Sequence, residues 1–186
     1  MKTVLIYSIS ASLLLLAAFV VFRILFRNDY SRKRKLSPLS ILIGTLIFFL
    51  WGGFPWIYGP ADWPAVHIHP ILETVGWILL WGGVAVMFIG IGQLGFSRTL
   101  GQKQDVLKQT GLYRLSRNPQ VIGCILYGLG FALLWPSWYA VGWIALILAM
   151  THLMVLTEEE YLHAVFGEDY KEYCKRVPRY VLKNPR

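Results

Sequence analysis

The sequence predicts an all-α, polytopic membrane protein of about five transmembrane helices, the last two a short hairpin that runs on into a cytoplasmic helix. Three observations lead there. The chain is 56% hydrophobic, and its eight Trp, ten Tyr and ten Phe are more aromatic surface than a soluble domain of 186 residues carries. Four runs contain no Asp, Glu, Lys or Arg: Thr3–Phe22, Leu39–Ala61, Thr74–Ser97 and Asn118–Thr157. The basic residues gather between these runs rather than inside them.

Taken in order, the first three runs each match the roughly 20 residues a helix needs to cross about 30 Å of hydrocarbon. Only Lys2 precedes the first, and no small-residue cleavage site separates it from "RNDYSRKRK", so it reads as a retained span rather than a signal peptide. Three spans share a start signal: "SP" at Ser37–Pro38, "HP" at His69–Pro70 and "NP" at Asn118–Pro119. A capping side chain followed by Pro at the first helical position satisfies free N–H groups and presets the backbone. The third span ends in "GIGQLGFSRTLGQKQ", where Gly90, Gly92 and Gly95 permit close approach of a helix or a ligand. The fourth run is twice as long and is broken by "WPSW" at Trp135–Trp138. Pro136 between two interfacial Trp residues reads as a tight turn joining two short spans.

After Thr157 the helical period continues. Leu162, Val165 and Phe166 form an apolar stripe up to Gly167, and "EDYKEYCKRVP" gives a further amphipathic turn or two stopped by Pro178. The acids Glu158–Glu160 are therefore expected in mid-helix, since at a helix C-terminus they would oppose the dipole. The chain reads as one domain: residues 1–97 supply three N-terminal spans, and residues 98–186 supply a polar loop, the hairpin and the tail.

Charge orients the spans. Of 18 Lys and Arg, six lie in Arg23–Lys35, five in Arg98–Arg117 and six after Thr157, with only Lys2 elsewhere. Five alternating spans put all three basic segments on one face, expected to be cytoplasmic, with the N-terminus outside and the C-terminus inside. The net charge of +8 then reflects topology and attraction to anionic lipid, and argues against a nucleic-acid partner. Cys124, inside a span, reads as a small buried hydrophobe, and no disulfide with Cys174 is expected. His152, Glu159 and His163 share one helical stripe, but two imidazoles and one carboxylate lack a fourth metal ligand. His67 and His69 flank the start of the third span and read as interfacial.

Two polar clusters bracket the hairpin: "GLYRLSRNP" (Gly111–Pro119) at its entrance and "EEE" at its exit. Because a hairpin reverses direction, Arg114, Arg117 and Asn118 should lie near Glu158 and Glu159. Those two acids are 100° apart and can face one pocket, whereas Glu160 turns a further 100° and should be solvated. Cations and anions together at a lipid edge suit a zwitterionic, amino-acid-like ligand.

At these residues the sequence resembles a known family. "GLYRLSRNPQVIG" and "EEEYLHAVFGEDYKEYCKRVPR" look like the paired signatures of the isoprenylcysteine carboxyl methyltransferase and phospholipid methyltransferase superfamily. The resemblance covers roughly Leu94 to Arg179. It departs at Asn118, where many members have His, and at Val121, where an aromatic is usual. It implies S-adenosylmethionine-dependent methyl transfer to a lipophilic small molecule or lipid, with the cofactor held at the cytoplasmic membrane edge. Carried over by position, Glu158 and Glu159 would bind the cofactor's amino group. Tyr113, Arg117, Asn118, Pro119 and Gly123 would line its pocket, with Gly92 and Gly95 beside it. Arg117 and Glu159 are the candidates for a catalytic part, and no metal is implied. Two other readings remain from sequence: an NADPH-dependent, sterol-reductase-like membrane enzyme, suggested by the tail "YCKRVPRY", and a non-catalytic scaffold of the same fold. Neither the acceptor nor the oligomeric state is readable.

Overall fold

The computed structural model describes residues 2–58, 68–102 and 105–181. The end of the second predicted span (59–61), His67, Lys103 and the tail residues Lys183 and Arg186 lie outside them. Every regular element among the described residues is helical. Helix α1 (Lys2–Phe19) passes through a π-helical stretch (Val20–Phe26) into α2 (Arg27–Lys33). Then follow α3 (Pro38–Tyr58), α4 (Pro70–Leu94), the single turn α5 (Phe96–Thr99), a 3₁₀ turn (Gly111–Arg114), α6 (Pro119–Leu134) and α7 (Trp138–Arg176). Three of these segments, Thr3–Lys33, Pro70–Leu94 and Trp138–Arg176, are long and apolar enough to cross a membrane, and α3 and α6 supply shorter apolar helices. The protein is a polytopic, all-α integral membrane protein.

The expected boundaries hold within a few residues, with one difference. The first span does not end near Phe22, because its helix continues unbroken in direction through the basic residues to Lys33. The π stretch loosens the i→i+4 ladder there, and the freed Phe22 carbonyl accepts from the Thr157 hydroxyl at 2.9 Å. The same hydroxyl accepts from Arg23 Nη1 at 2.8 Å. In α6, 16 residues give about 24 Å, short of a full bilayer core, so this helix depends on its neighbours for burial.

Those neighbours lie very close. Gly76, Gly83 and Gly90 recur every seventh residue along α4; Gly76 and Gly83 meet Gly130 and Gly123, seven apart on α6, and Gly90 meets Pro119 and Gln120. A Cβ on Gly83 would collide with the Tyr127 backbone nitrogen, and one on Gly123 would lie 2.7 Å from the Gly83 carbonyl. In lipid, where hydrophobic burial gives no net drive, this backbone approach is what holds the pair by van der Waals contact. Gly123→Ala is expected to push α6 off α4 and destabilise the fold by about 1–3 kcal/mol, read as a lower thermal midpoint in detergent. An unchanged midpoint would show that the contact is loose.

Helix α3 packs on α1, the π stretch and α7 instead. Across that seam Trp51 and Trp143 stack with ring centroids 4.4 Å apart and planes 3° from parallel. Each indole N–H donates to the other residue's carbonyl, at 3.1 and 3.0 Å. Helix α7 then runs from Ser137, whose hydroxyl caps Ala140 N, past the acids to Arg176. It is broken only at Gly167, whose φ of 53° is a left-handed value that favours glycine. The break turns Tyr170, Tyr173 and Val177 into a small cluster against Leu107 and Phe166.

Candidate functional site

Between the two packed groups of helices lies a cavity of about 390 Å³. Its apolar lining includes Phe26, Phe48, Trp51, Met87, Cys124 and Met154. Its polar lining, where the hairpin begins and the acids sit, takes Arg98, Tyr113, Arg117, Asn118, Glu158 and Glu159. The hairpin thus brings together the two clusters that the sequence singled out.

The polar lining is organised around Glu159, which is buried at 7% exposure. One of its oxygens pairs with Arg117 Nη1 at 2.8 Å. Arg179, twenty residues on, grips both oxygens: Nε donates at 3.0 and 3.1 Å, and Nη2 donates to Oε2 at 2.6 Å. Such a forked guanidinium–carboxylate contact is both strong and directional. Arg117 Nη1 also lies 2.8 Å from Cys174 Sγ and 3.4 Å from the Tyr170 hydroxyl. Its Nε–H is the exception. That atom is buried and, among the described residues, is the one side-chain polar atom of its kind without a hydrogen-bond partner.

The tail after α7 folds back on the hairpin entrance. The Arg117 backbone N–H donates to the Pro178 carbonyl at 3.0 Å. The Arg179 carbonyl accepts from both the Ser116 hydroxyl and Asn118 Nδ2, each at 3.1 Å. Asn118 makes no side-chain cap to α6, so the resemblance of "NP" to the "SP" cap is not realised in its side chain. Asn118→Asp, which keeps the shape but loses the Nδ2 donor, is expected to cost about 1–2 kcal/mol and to speed proteolysis of the tail. Asn118→His, which keeps an N–H donor, should do less; equal proteolysis rates in wild type and Asn118→Asp would refute the clamp.

Tyr113 joins the walls from the 3₁₀ turn. Its hydroxyl accepts from Gln120 and donates to the Gly90 carbonyl at 3.4 Å, while its own carbonyl accepts from the Tyr173 hydroxyl at 2.7 Å. Burial, reinforced by the negative charge of Glu158, holds the Tyr113 phenol well above its ordinary pKa, so it stays a neutral donor.

The remaining predicted residues sort as follows. Pro119 is fully buried at the α4–α6 contact, against Gly90, and Gly123 lies at the same crossing; neither is among the described lining residues. Gly92 and Gly95 also stand apart from the lining, with nothing within 4 Å of a Cβ position. Glu160, expected to be solvated, is exposed yet paired: Arg23 Nη2 lies 2.7 Å from Oε1 and Arg27 Nε 3.0 Å from Oε2. The continued first helix brings those cations to it. The His152–Glu159–His163 stripe is engaged elsewhere: His152 hydrogen-bonds the Tyr180 hydroxyl at 3.2 Å, His163 packs edge-on to Tyr170, and Glu159 is held by the two arginines. Two contributors went unread in the sequence: Arg179, embedded in a motif but assigned no partner, and Ser116.

An all-α bundle with a largely apolar cavity that also holds a buried carboxylate between two guanidiniums defines the class: an integral membrane protein with a charged cluster beside an apolar cavity. The comparisons narrow it. A profile of the phospholipid methyltransferase family matches residues 72–169, a little over half of the chain, and the protein belongs to that family. Protein-S-isoprenylcysteine O-methyltransferase of Schizosaccharomyces pombe is 28% identical over 153 residues, spanning 75% of this chain and 64% of that protein. Cobalt-zinc-cadmium resistance protein CzcN of Cupriavidus metallidurans is 27% identical over 126 residues, 67% of this chain and 55% of that protein. The chain thus spans between half and two-thirds of the length of these relatives. No solved structure matches it significantly.

Proposed function

We propose that the protein transfers a methyl group from S-adenosylmethionine to a lipophilic acceptor at the cytoplasmic edge of the membrane. The observation that carries this reading is the buried, unpartnered Nε–H of Arg117 in a cavity that also contains Glu158. A buried donor without an acceptor is costly, so its natural complement is an anionic group on a ligand. A carboxylate at Arg117 and an ammonium at Glu158 are the two ends of an amino-acid moiety, and S-adenosylmethionine carries both.

In this reading Arg117 Nε and Glu158 bind and orient the cofactor, and Tyr113 and Asn118 form the adjoining walls. Glu159 is a positioning residue that fixes the Arg117 guanidinium, with Arg179 holding Glu159 in turn. Pro119 and Gly123 keep α6 on α4, and nothing in the geometry supports a cofactor role for Gly92 or Gly95. When bound, S-adenosylmethionine supplies an activated methyl group on sulfur, and what remains for the protein is to hold donor and acceptor in line. The apolar lining of the cavity excludes water and receives the acceptor's hydrocarbon part. The name of the Schizosaccharomyces pombe relative, which records an isoprenylcysteine acceptor, supports a lipophilic acceptor here.

The test is equilibrium binding of S-adenosylhomocysteine and of NADPH to the purified chain in lipid nanodiscs. Saturable binding of the first and none of the second is expected; the reverse would replace the methyltransferase with a reductase, and neither would leave a scaffold. Orientation is checked in sealed vesicles with an impermeant maleimide: cysteines placed at Asp105 and Glu73 should label from opposite sides.

A further inference from the structure

The cavity ends at an aromatic plug that methyl transfer itself does not require. Trp51 of α3, at 9% exposure, lines the cavity and is locked face to face on Trp143 of α7, about two turns beyond the lining residue Thr151, by the two reciprocal indole–carbonyl hydrogen bonds. From α6, Tyr127 and Phe131 pack on the same Trp143, with centroids at 5.9 and 4.9 Å. Three helices are thereby tied together directly beneath the cavity. A stacked indole with its N–H satisfied has little freedom to swing aside, so this wall is rigid.

The depth above the plug can be read from the lining helices independently. Lining residues run from Met87 to Leu94 on α4, from Asn118 to Cys124 on α6 and, before the break at Gly167, from Thr151 to Leu162 on α7. At 1.5 Å per residue the first two stretches are about 10 Å long and the third about 16 Å. We infer that Trp51 is a depth stop that sets acceptor specificity: the cavity takes an acceptor whose apolar body is short or compact, no longer than about three helical turns, and rejects extended long chains. This deepens the function proposed above and rests on it only for the word acceptor.

The full chain in lipid nanodiscs, saturated with S-adenosylhomocysteine, is photolabelled with alkyl carboxylates that carry a terminal diazirine and have butyl, octyl or hexadecyl chains. Adducts are then mapped by mass spectrometry. In wild type, octyl adducts are expected at the cavity residues Phe48, Trp51 and Met87, and hexadecyl adducts at lipid-facing residues instead. Trp51→Ala should lower the octyl-to-hexadecyl ratio within the cavity by about tenfold or more, the equivalent of accommodating roughly two further methylenes. Trp51→Phe keeps a ring on Trp143 and should shift the ratio less, which preserves the test if the alanine variant fails to fold. Equal cavity labelling by octyl and hexadecyl probes in wild type, or an unchanged ratio in both variants, would overturn the depth stop. Cofactor binding is measured on the same samples. Loss of S-adenosylhomocysteine binding with the chain-length profile intact sinks the methyltransferase reading alone, and the converse sinks only the depth stop.

Discussion

Arg117→Ala is expected to weaken S-adenosylhomocysteine binding by about 100-fold or more and to lower the thermal midpoint of the apo protein as well. Two losses combine. The ligand loses the charge-assisted donation from Nε, of the order of 1.5–3 kcal/mol. The buried Glu159 loses one of its two guanidiniums, and breaking a buried ion pair from one side costs about 3–5 kcal/mol, reduced here because Arg179 remains in place. Arg117→Lys separates the two losses. A lysine ammonium can still approach Glu159, so stability should largely return, but it has no equivalent of the Nε–H beside the Nη1 contact, and affinity should recover only in part. Wild-type affinity in Arg117→Ala would exclude this side chain from the ligand site.

The three acids should behave as three different residues. Glu158→Gln is expected to raise the S-adenosylhomocysteine dissociation constant by roughly 30- to 150-fold, from about 2–3 kcal/mol of charge-assisted pairing. Glu159→Gln should act mainly on the fold, since it leaves the partly buried Arg117 and Arg179 without their common anion. Its signature is a thermal midpoint that falls together with faster proteolysis of the tail, and an affinity loss that follows from both. Glu160→Gln touches only a half-exposed pair with Arg23 and Arg27 and should cost less than about 1 kcal/mol in stability, with cofactor affinity within about threefold of wild type. Isothermal titration beside a thermal melt on each variant gives both numbers. Equal, small effects at all three positions would reduce the cluster to a solvated helix face.

Several of these assignments were legible before any coordinates. The apolar runs placed the helices because hydrocarbon admits a backbone only when every peptide group is paired within the helix, which makes twenty uncharged residues a strong signal. "WPSW" placed the hairpin because Pro136 cannot continue a helix, and the hairpin alone required Arg117 to lie near Glu158. The resemblance pointed to the family that the profile match then established.

What the sequence could not decide is how charges within reach of one another choose partners. Helical periodicity gives the direction of each acid but not what waits there. Glu160 faces Arg23 only because the first helix continues through a π stretch past its apolar run, and no local pattern in "VVFRILF" announces that. Glu159 was expected to take a ligand's ammonium together with Glu158. Its engagement by Arg179 depends on the tail reversing after Gly167 and Pro178, a matter of long-range packing. Gly123 sits in a signature, and spacing alone does not distinguish a glycine that admits a ligand from one that admits a helix. The sequence by itself determined the membrane class, the hairpin and the residues that would meet. Only the tertiary structure decided that Glu159 is held between Arg117 and Arg179 and that Glu160 meets Arg23 and Arg27, because each charge that loses water settles on the partner that replaces it, and that partner is set by folding.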